Sequence, residues 1–148
     1  MTKSFENARH FLILGGLAFA FHFVWESIQC SIFFVHGSYD ATWWGMVKAA
    51  GGDVGLTWTL YGIVAVAGRR WRWGVRPWGW DRTAALVAGA LALGVAVELR
   101  GLHQGRWSYT EVAPLVPYLD VSVVPLVQLL LLTPLVVVLA ERFAQPRA

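Results

Sequence analysis

Three carboxylic acids stand where acids are costly. Glu26 lies inside a long apolar run, Asp53 follows Gly51-Gly52, and Glu98 closes a stretch, residues 84–97, that carries no charge. A charged side chain at the centre of a membrane helix costs at least ~2.5–3.5 kcal/mol on insertion scales. Groups this expensive call for a use. Partners recur at helical spacing around them. His22, Glu26 and Gln29 fall at i, i+4 and i+7, on one helix face, with Trp25 adjacent. Asp53, Thr57 and Tyr61 share a face, and so do Asp120, Val124 and Gln128. The segment from Glu98 to Tyr109 adds Arg100, His103, Arg106 and Trp107 where the apolar surface ends. The chemistry such a set could perform is acid–base. A carboxyl group in apolar surroundings can keep its proton and act as a general acid, while a second carboxylate accepts one. Glu26, Glu98 and Asp53 are therefore the candidate catalytic groups. The faces of Trp25, Trp107 and Tyr109 could stabilise developing cationic charge. With Gln29, Arg106 and Gln128 they form the candidate substrate-binding set.

Plainer roles stand beside each of these. Asp53 suits the N-cap of a helix. Glu98 could pair with Arg100 or Arg106 at the interface. Glu26 could be a structural hydrogen-bonding partner of Gln128 or Tyr61. His22 on an apolar face could be a satisfied packing histidine. A single water-filled or ligand-filled pocket accounts for the whole set more economically than separate roles.

The elements that must position these groups follow from composition. The chain has 148 residues, 57% hydrophobic and only 14% charged, against roughly 25% charged in soluble domains. Mean hydropathy is +0.53. Both point to a membrane protein of a few spanning helices. The single cysteine, Cys30, excludes an intrachain disulfide framework and reads as a buried small residue. The sequence pI is near 9.4, yet the arginines concentrate in one short loop, residues 69–82, where they read as membrane topology rather than nucleic-acid binding. Lys3, Arg9 and Ala18-Phe19-Ala20 imitate a signal peptide, but the apolar run continues to Val35, which favours an uncleaved anchor. No nucleotide, flavin or haem motif occurs, and no CxxC or HExxH spacing, so neither a cofactor nor a metal site is expected.

The expected fold is all-α, an integral membrane bundle of four transmembrane helices in one domain, at about 11–35, 53–68, 82–99 and 119–140. A polar arm with Lys3, Arg9 and His10 precedes the first helix. A loop with turn formers Gly37, Ser38 and Asp40 follows it, and Trp43-Trp44 suit an interfacial belt. The second helix opens at Gly51-Gly52-Asp53, or near Trp43 with a break at the glycines. The third carries Ala84, Ala85, Ala88, Gly89, Ala92 and Gly94, small enough for close helix approach. Pro125 and Pro134 should kink the fourth and free backbone carbonyls. A polar tail begins at Glu141. The basic loop at 69–82, with its tryptophans at the headgroups, belongs in the cytoplasm. Both termini are then cytoplasmic, and loops 36–52 and 100–118 face outward. The intramembrane polar residues of all four helices then converge on the outer half, with only hydroxyls in the inner half.

The order Trp25-Glu26-x-x-Gln29, Gly52-Asp53, Glu98, Gly105-Arg106-Trp107-Ser108-Tyr109 and Pro125-x-x-Gln128 resembles a group of small bacterial four-helix membrane proteins, over nearly the whole chain. That resemblance implies the bacterial inner membrane and no established activity. Glu98 with Gly105, Trp107 and Tyr109 is similar to a segment of lycopene cyclase domains and carotenoid hydratases. Trp25-Glu26 is similar to a pair in integral-membrane terpene cyclases. These imply an isoprenoid substrate. The expected partners are membrane lipid, a hydrophobic or isoprenoid ligand, and a second copy or membrane partner, with no nucleic acid. Two other classes stay open: a binding or transport protein, in which His22, Glu26, Glu98 and His103 could ligate a divalent metal, and an accessory subunit docking a partner helix.

Overall fold

The apolar stretches fold into four helices, α1 Lys3–Phe33, α2 Trp43–Ala67, α3 Trp80–His103 and α4 Val123–Ala144. The structure, a computed structural model, describes residues 3–37, 42–74 and 78–144. The turn formers Ser38 and Asp40, the loop residues Val75, Arg76 and Pro77, and the tail beyond Ala144 lie outside the described residues. Among the described residues, three helices are long and apolar enough to cross a membrane: Asn7–Phe33, Trp80–His103 and Val123–Ala144. Even α4, with 22 residues, extends about 33 Å at 1.5 Å per residue, against a hydrocarbon core of ~30 Å.

The helices close into a ring. α1 packs on α2 and α4, and α3 packs on the same two. The shared core takes Leu14 and Ala18 from α1, Leu60 and Val64 from α2, Leu86 and Ala90 from α3, and Leu129, Val136 and Val137 from α4. The loop between α2 and α3 contributes too. Trp73 is fully buried and its indole N–H donates to the Tyr61 carbonyl at 3.1 Å. The expectation that this loop's tryptophans all sit at the headgroups therefore fails for Trp73, while Trp71 and Trp80 are exposed.

The element bounds differ from expectation for identifiable reasons. α2 begins ten residues before Asp53, and its N-cap is Thr42, whose hydroxyl accepts from Gly45 N at 3.3 Å. Asp53 is therefore mid-helix, not a cap. Gly51 and Gly52 cost about 1 kcal/mol each relative to alanine, but buried Met46 and Ala50 anchor the preceding turns to the bundle. α1 starts earlier than expected because its buried stripe reaches back to His10. α4 starts later because Tyr118 and Asp120 take left-handed backbone conformations, φ 69° and 52°, which a helix cannot include. Pro125 then falls in the first turn of α4, where its missing N–H costs no helical bond. Of the two prolines expected to kink this helix, only Pro134 lies in its interior.

A short antiparallel ribbon closes one end. β1, Phe34–His36, leaves α1 directly and pairs with β2, Trp107–Tyr109. Thr110 secures the junction: its N–H donates to the Phe33 carbonyl and its hydroxyl to the Ile32 carbonyl, both at 3.0 Å. These are the last carbonyls of α1, which otherwise lack helical partners.

Gly94 sets the α3–α4 approach. A Cβ there would stand 2.6 Å from the Leu126 side chain and 3.7 Å from its Cα. Gly94→Leu is expected to cost about 1–3 kcal/mol through overpacking, whereas Ala92→Leu, on the exposed face of α3, should stay within about 0.5 kcal/mol. Thermal unfolding in one detergent compares them, and equal melting points would contradict the close approach.

Candidate functional site

One stripe of α1 organises the site. His10, Leu14, Ala18, His22, Glu26 and Gln29 wind along the helix and are all buried. Their spacing of four or three keeps them on one face. The end nearer Phe33 carries the polar members. There α2 presents Asp53 and Thr57, and α4 presents Gln128.

Gln128 joins the three helices. Its side-chain nitrogen lies 2.8 Å from His22 Nδ1, 2.9 Å from Asp53 Oδ2 and 3.2 Å from Glu26 Oε1. An amide nitrogen has two hydrogens, so it serves at most two of these three acceptors at once. With Gln128 donating, His22 Nδ1 accepts and Nε2–H points at Thr57 Oγ1, 3.0 Å away. Gln29 completes the group. Its amide donates to Glu26 Oε1 at 2.5 Å and to Gln128 Oε1 at 3.1 Å, and its own oxygen accepts from Trp25 Nε1 at 2.9 Å. The Cys30 thiol lies 3.3 Å from Glu26 Oε2.

Glu98 reaches the same region from α3. It is buried and accepts a hydrogen bond from the Tyr109 hydroxyl. The ribbon fixes Tyr109 opposite Phe34, with ring centroids 5.4 Å apart at 68°. Burial, and then the contact with Glu98, push the Tyr109 hydroxyl pKa upward, so it remains a donor. Trp107 packs closely against Gly101, where any Cβ would collide with the indole. Arg106 sits over that ring, its Cζ 5.2 Å from the centroid, in a cation–π arrangement.

Between these groups lies a cavity of about 290 Å³. Glu26, Asp53 and Glu98 all line it, with Gln29 and Gln128. Arg106 and Trp107 line it too, and Leu56, Val97 and Leu129 supply apolar wall. Of the residues expected in the site, Trp25 and Tyr109 do not line the cavity. They stand behind it and hold Gln29 and Glu98. Asp120 is exposed outside α4, apart from Gln128, and His103 is exposed at the end of α3, so neither joins. Among the described residues no three His, Cys, Asp or Glu side chains are arranged to hold a metal ion.

Among the polar lining residues, sequence reasoning missed Cys30, His36 and Lys48. Lys48, Gly52, Asp53 and Leu56 all line the cavity from α2, at helical spacing. That pattern was readable once α2 was allowed to begin at Trp43. The expectation that the opposite half holds only hydroxyls is also overturned. There Glu141 of α4 is buried and forked by Arg72, whose Nε and Nη2 lie 3.0 and 2.8 Å from Oε2. His10 Nε2 is 3.9 Å from Glu141 Oε1. Tyr61 belongs to that end, its hydroxyl donating to the Trp71 carbonyl, and not beside Glu26. Compared with known proteins, the chain matches no family model, no curated protein and no solved structure.

Gln128→Leu removes the donor shared by Glu26 and Asp53 and is expected to destabilise by about 1–3 kcal/mol, the cost of leaving buried acceptors unserved. Trp25→Phe removes one bond to Gln29 and should cost about 1 kcal/mol. Melting curves of the two variants in the same detergent check the order. If Gln128→Leu melts with the wild type, the amide does not hold the helices together.

Proposed function

We propose that the chain is an integral membrane protein of four spans that binds an apolar, lipid-derived ligand in the carboxyl-lined cavity and acts on it by acid–base chemistry, an isoprenoid being the class that fits best. The observation that carries this reading is the convergence of Glu26, Asp53 and Glu98 on one apolar-walled cavity between helices. Glu26 and Asp53 share a neutral amide donor, with no arginine or lysine ion pair to either among the described residues. α2 joins the other three as a span because α1 and α3 pack against it. The arginine-rich end, with Arg69, Arg70 and Arg72, faces the cytoplasm by the positive-inside rule, which puts both termini there and the cavity in the outer leaflet of the bacterial inner membrane.

The chemistry follows from proton counting. Two carboxyl groups held by one amide nitrogen resist joint ionisation, and this reading requires one shared proton on the Glu26–Asp53 pair. That proton goes to an alkene or epoxide carbon or oxygen of the ligand. Glu98 then removes a proton from a carbon next to the resulting cation, giving isomerisation or cyclisation with no net loss of atoms. A cavity near the lower end of the ~300–1,000 Å³ range of ligand pockets takes the reacting end of such a chain and leaves the rest in lipid. Lys48 and Arg106, lining the same cavity, favour as a second reading the binding or transport of a small polar solute carrying both charges.

Glu26→Gln keeps the shape and loses the acid. It is expected to fold as the wild type does and to lose ligand turnover or binding. Infrared difference spectra across pH supply the check: the wild type should show a protonated-carboxyl band near neutral pH that Glu26→Gln or Asp53→Asn removes. If neither variant changes that region, the acid role fails and the solute-binding reading moves ahead.

A further inference from the structure

The opposite end of the bundle carries a second cavity with a different lining. It measures about 350 Å³ and is lined by Asn7, His10, Phe11, Tyr61, Trp71 and Arg72. No acid lines it. His10 and Glu26 are sixteen residues apart on α1, about 24 Å at 1.5 Å per residue, so the two cavities are separate.

His10 is the unusual member. It is 1% exposed, and neither ring nitrogen has a hydrogen-bond partner. Buried polar atoms are normally satisfied. Glu141 Oε1, at 3.9 Å, is beyond hydrogen-bond reach. The Glu141 carboxylate is already engaged by Nε and Nη2 of Arg72, and that fork leaves the Arg72 Nη1 group outside it. The cavity thus gathers an imidazole N–H, an amide and a guanidinium beside the aromatic faces of Phe11 and Trp71. Arg9, Arg69 and Arg70 surround this end with further positive charge.

We propose that this cavity is a phosphate site, in which His10, Asn7 and Arg72 hold a phosphate group and Phe11 and Trp71 take the apolar portion attached to it. Arginine and histidine donors beside two aromatic rings suit a phosphate oxyanion, because hydrogen bonds to ionised groups are roughly twice as strong as neutral ones. The phosphate could come from a lipid headgroup or from solution. The site depends on the bundle and not on the acid role of Glu26.

The full chain in detergent, studied by native mass spectrometry, tests this with three probes: dihexanoylphosphatidic acid, dihexanoylglycerol and inorganic phosphate. Phosphatidic acid should bind at least about tenfold tighter than the phosphate-free glyceride, a difference of one charged hydrogen bond or more. His10→Leu should weaken it by about tenfold on the same ground, with Asn7→Leu, at an exposed position, weakening it in the same direction. His10→Gln, which retains an N–H, should bind near the wild type, and Glu26→Gln should change nothing. Inorganic phosphate that binds alone and competes identifies free phosphate as the ligand, and phosphatidic acid binding without such competition identifies a lipid headgroup. Equal binding of phosphatidic acid and dihexanoylglycerol, or wild-type binding by both His10→Leu and Asn7→Leu, would overturn the proposal.

Discussion

The structure depends on one crowded amide. Gln128 brings its nitrogen within 3.2 Å of groups on two other helices, Glu26 and His22 on α1 and Asp53 on α2. Without it two carboxyl groups would face each other inside an apolar bundle, Glu26 keeping Gln29 and Cys30 as donors and Asp53 keeping His22 at 3.5 Å. Unsatisfied polar groups are the strongest constraint on a chain in lipid. Helix association there lacks the hydrophobic driving force available in water. The register of α1, α2 and α4 is therefore tied to the same atoms that define the cavity. At Gln128 the contacts that tie the helices together are the same contacts that hold the two carboxyls at the cavity.

The rest of the bundle works around that knot. The Phe34–His36 and Trp107–Tyr109 ribbon carries Tyr109 to Glu98 and brings Trp107 and Arg106 over the cavity. Gly94 and Gly101 let α4 and the indole approach α3. At the far end, the Arg72–Glu141 fork does for the loop between α2 and α3 what Gln128 does for the helices, and buries Trp73 beneath it. The bundle is thus polar at both ends of its core and apolar between, with acids lining one cavity and a guanidinium and a bare imidazole lining the other.

Glu26, Glu98, Gln29 and Gln128 could be recognised from sequence because polar groups within long apolar runs must face partners rather than lipid. The all-helical architecture followed from the same runs. Asp53 was identified as a site residue but given the wrong plain alternative, since Gly51-Gly52 resembles a helix break. Packing of Met46 and Ala50 outweighed the glycine cost, and with it Lys48 came onto the cavity face. His10 and Glu141 were assigned to solvated ends because charges stand next to them. Yet His10 continues the stripe through Leu14, Ala18 and His22, and Glu141 continues one through Thr133 and Val137, all buried. Helical period was the better guide than local polarity. The ribbon strands are three residues each, too short for alternation to mark them, and they arise from tertiary pairing alone.

The central claim is that an apolar ligand enters between the helices to meet the acids. Photolabelling with a short prenyl chain bearing a terminal diazirine, followed by peptide mapping, tests it most directly. The account predicts adducts on cavity residues such as Leu56, Val97 and Leu129, reduced by competition with unmodified prenyl alcohol. Adducts confined to outward-facing residues such as Ile28, Val66 and Leu131, unaffected by the competitor, would mean that the chain only contacts lipid and that the cavity is not a ligand site.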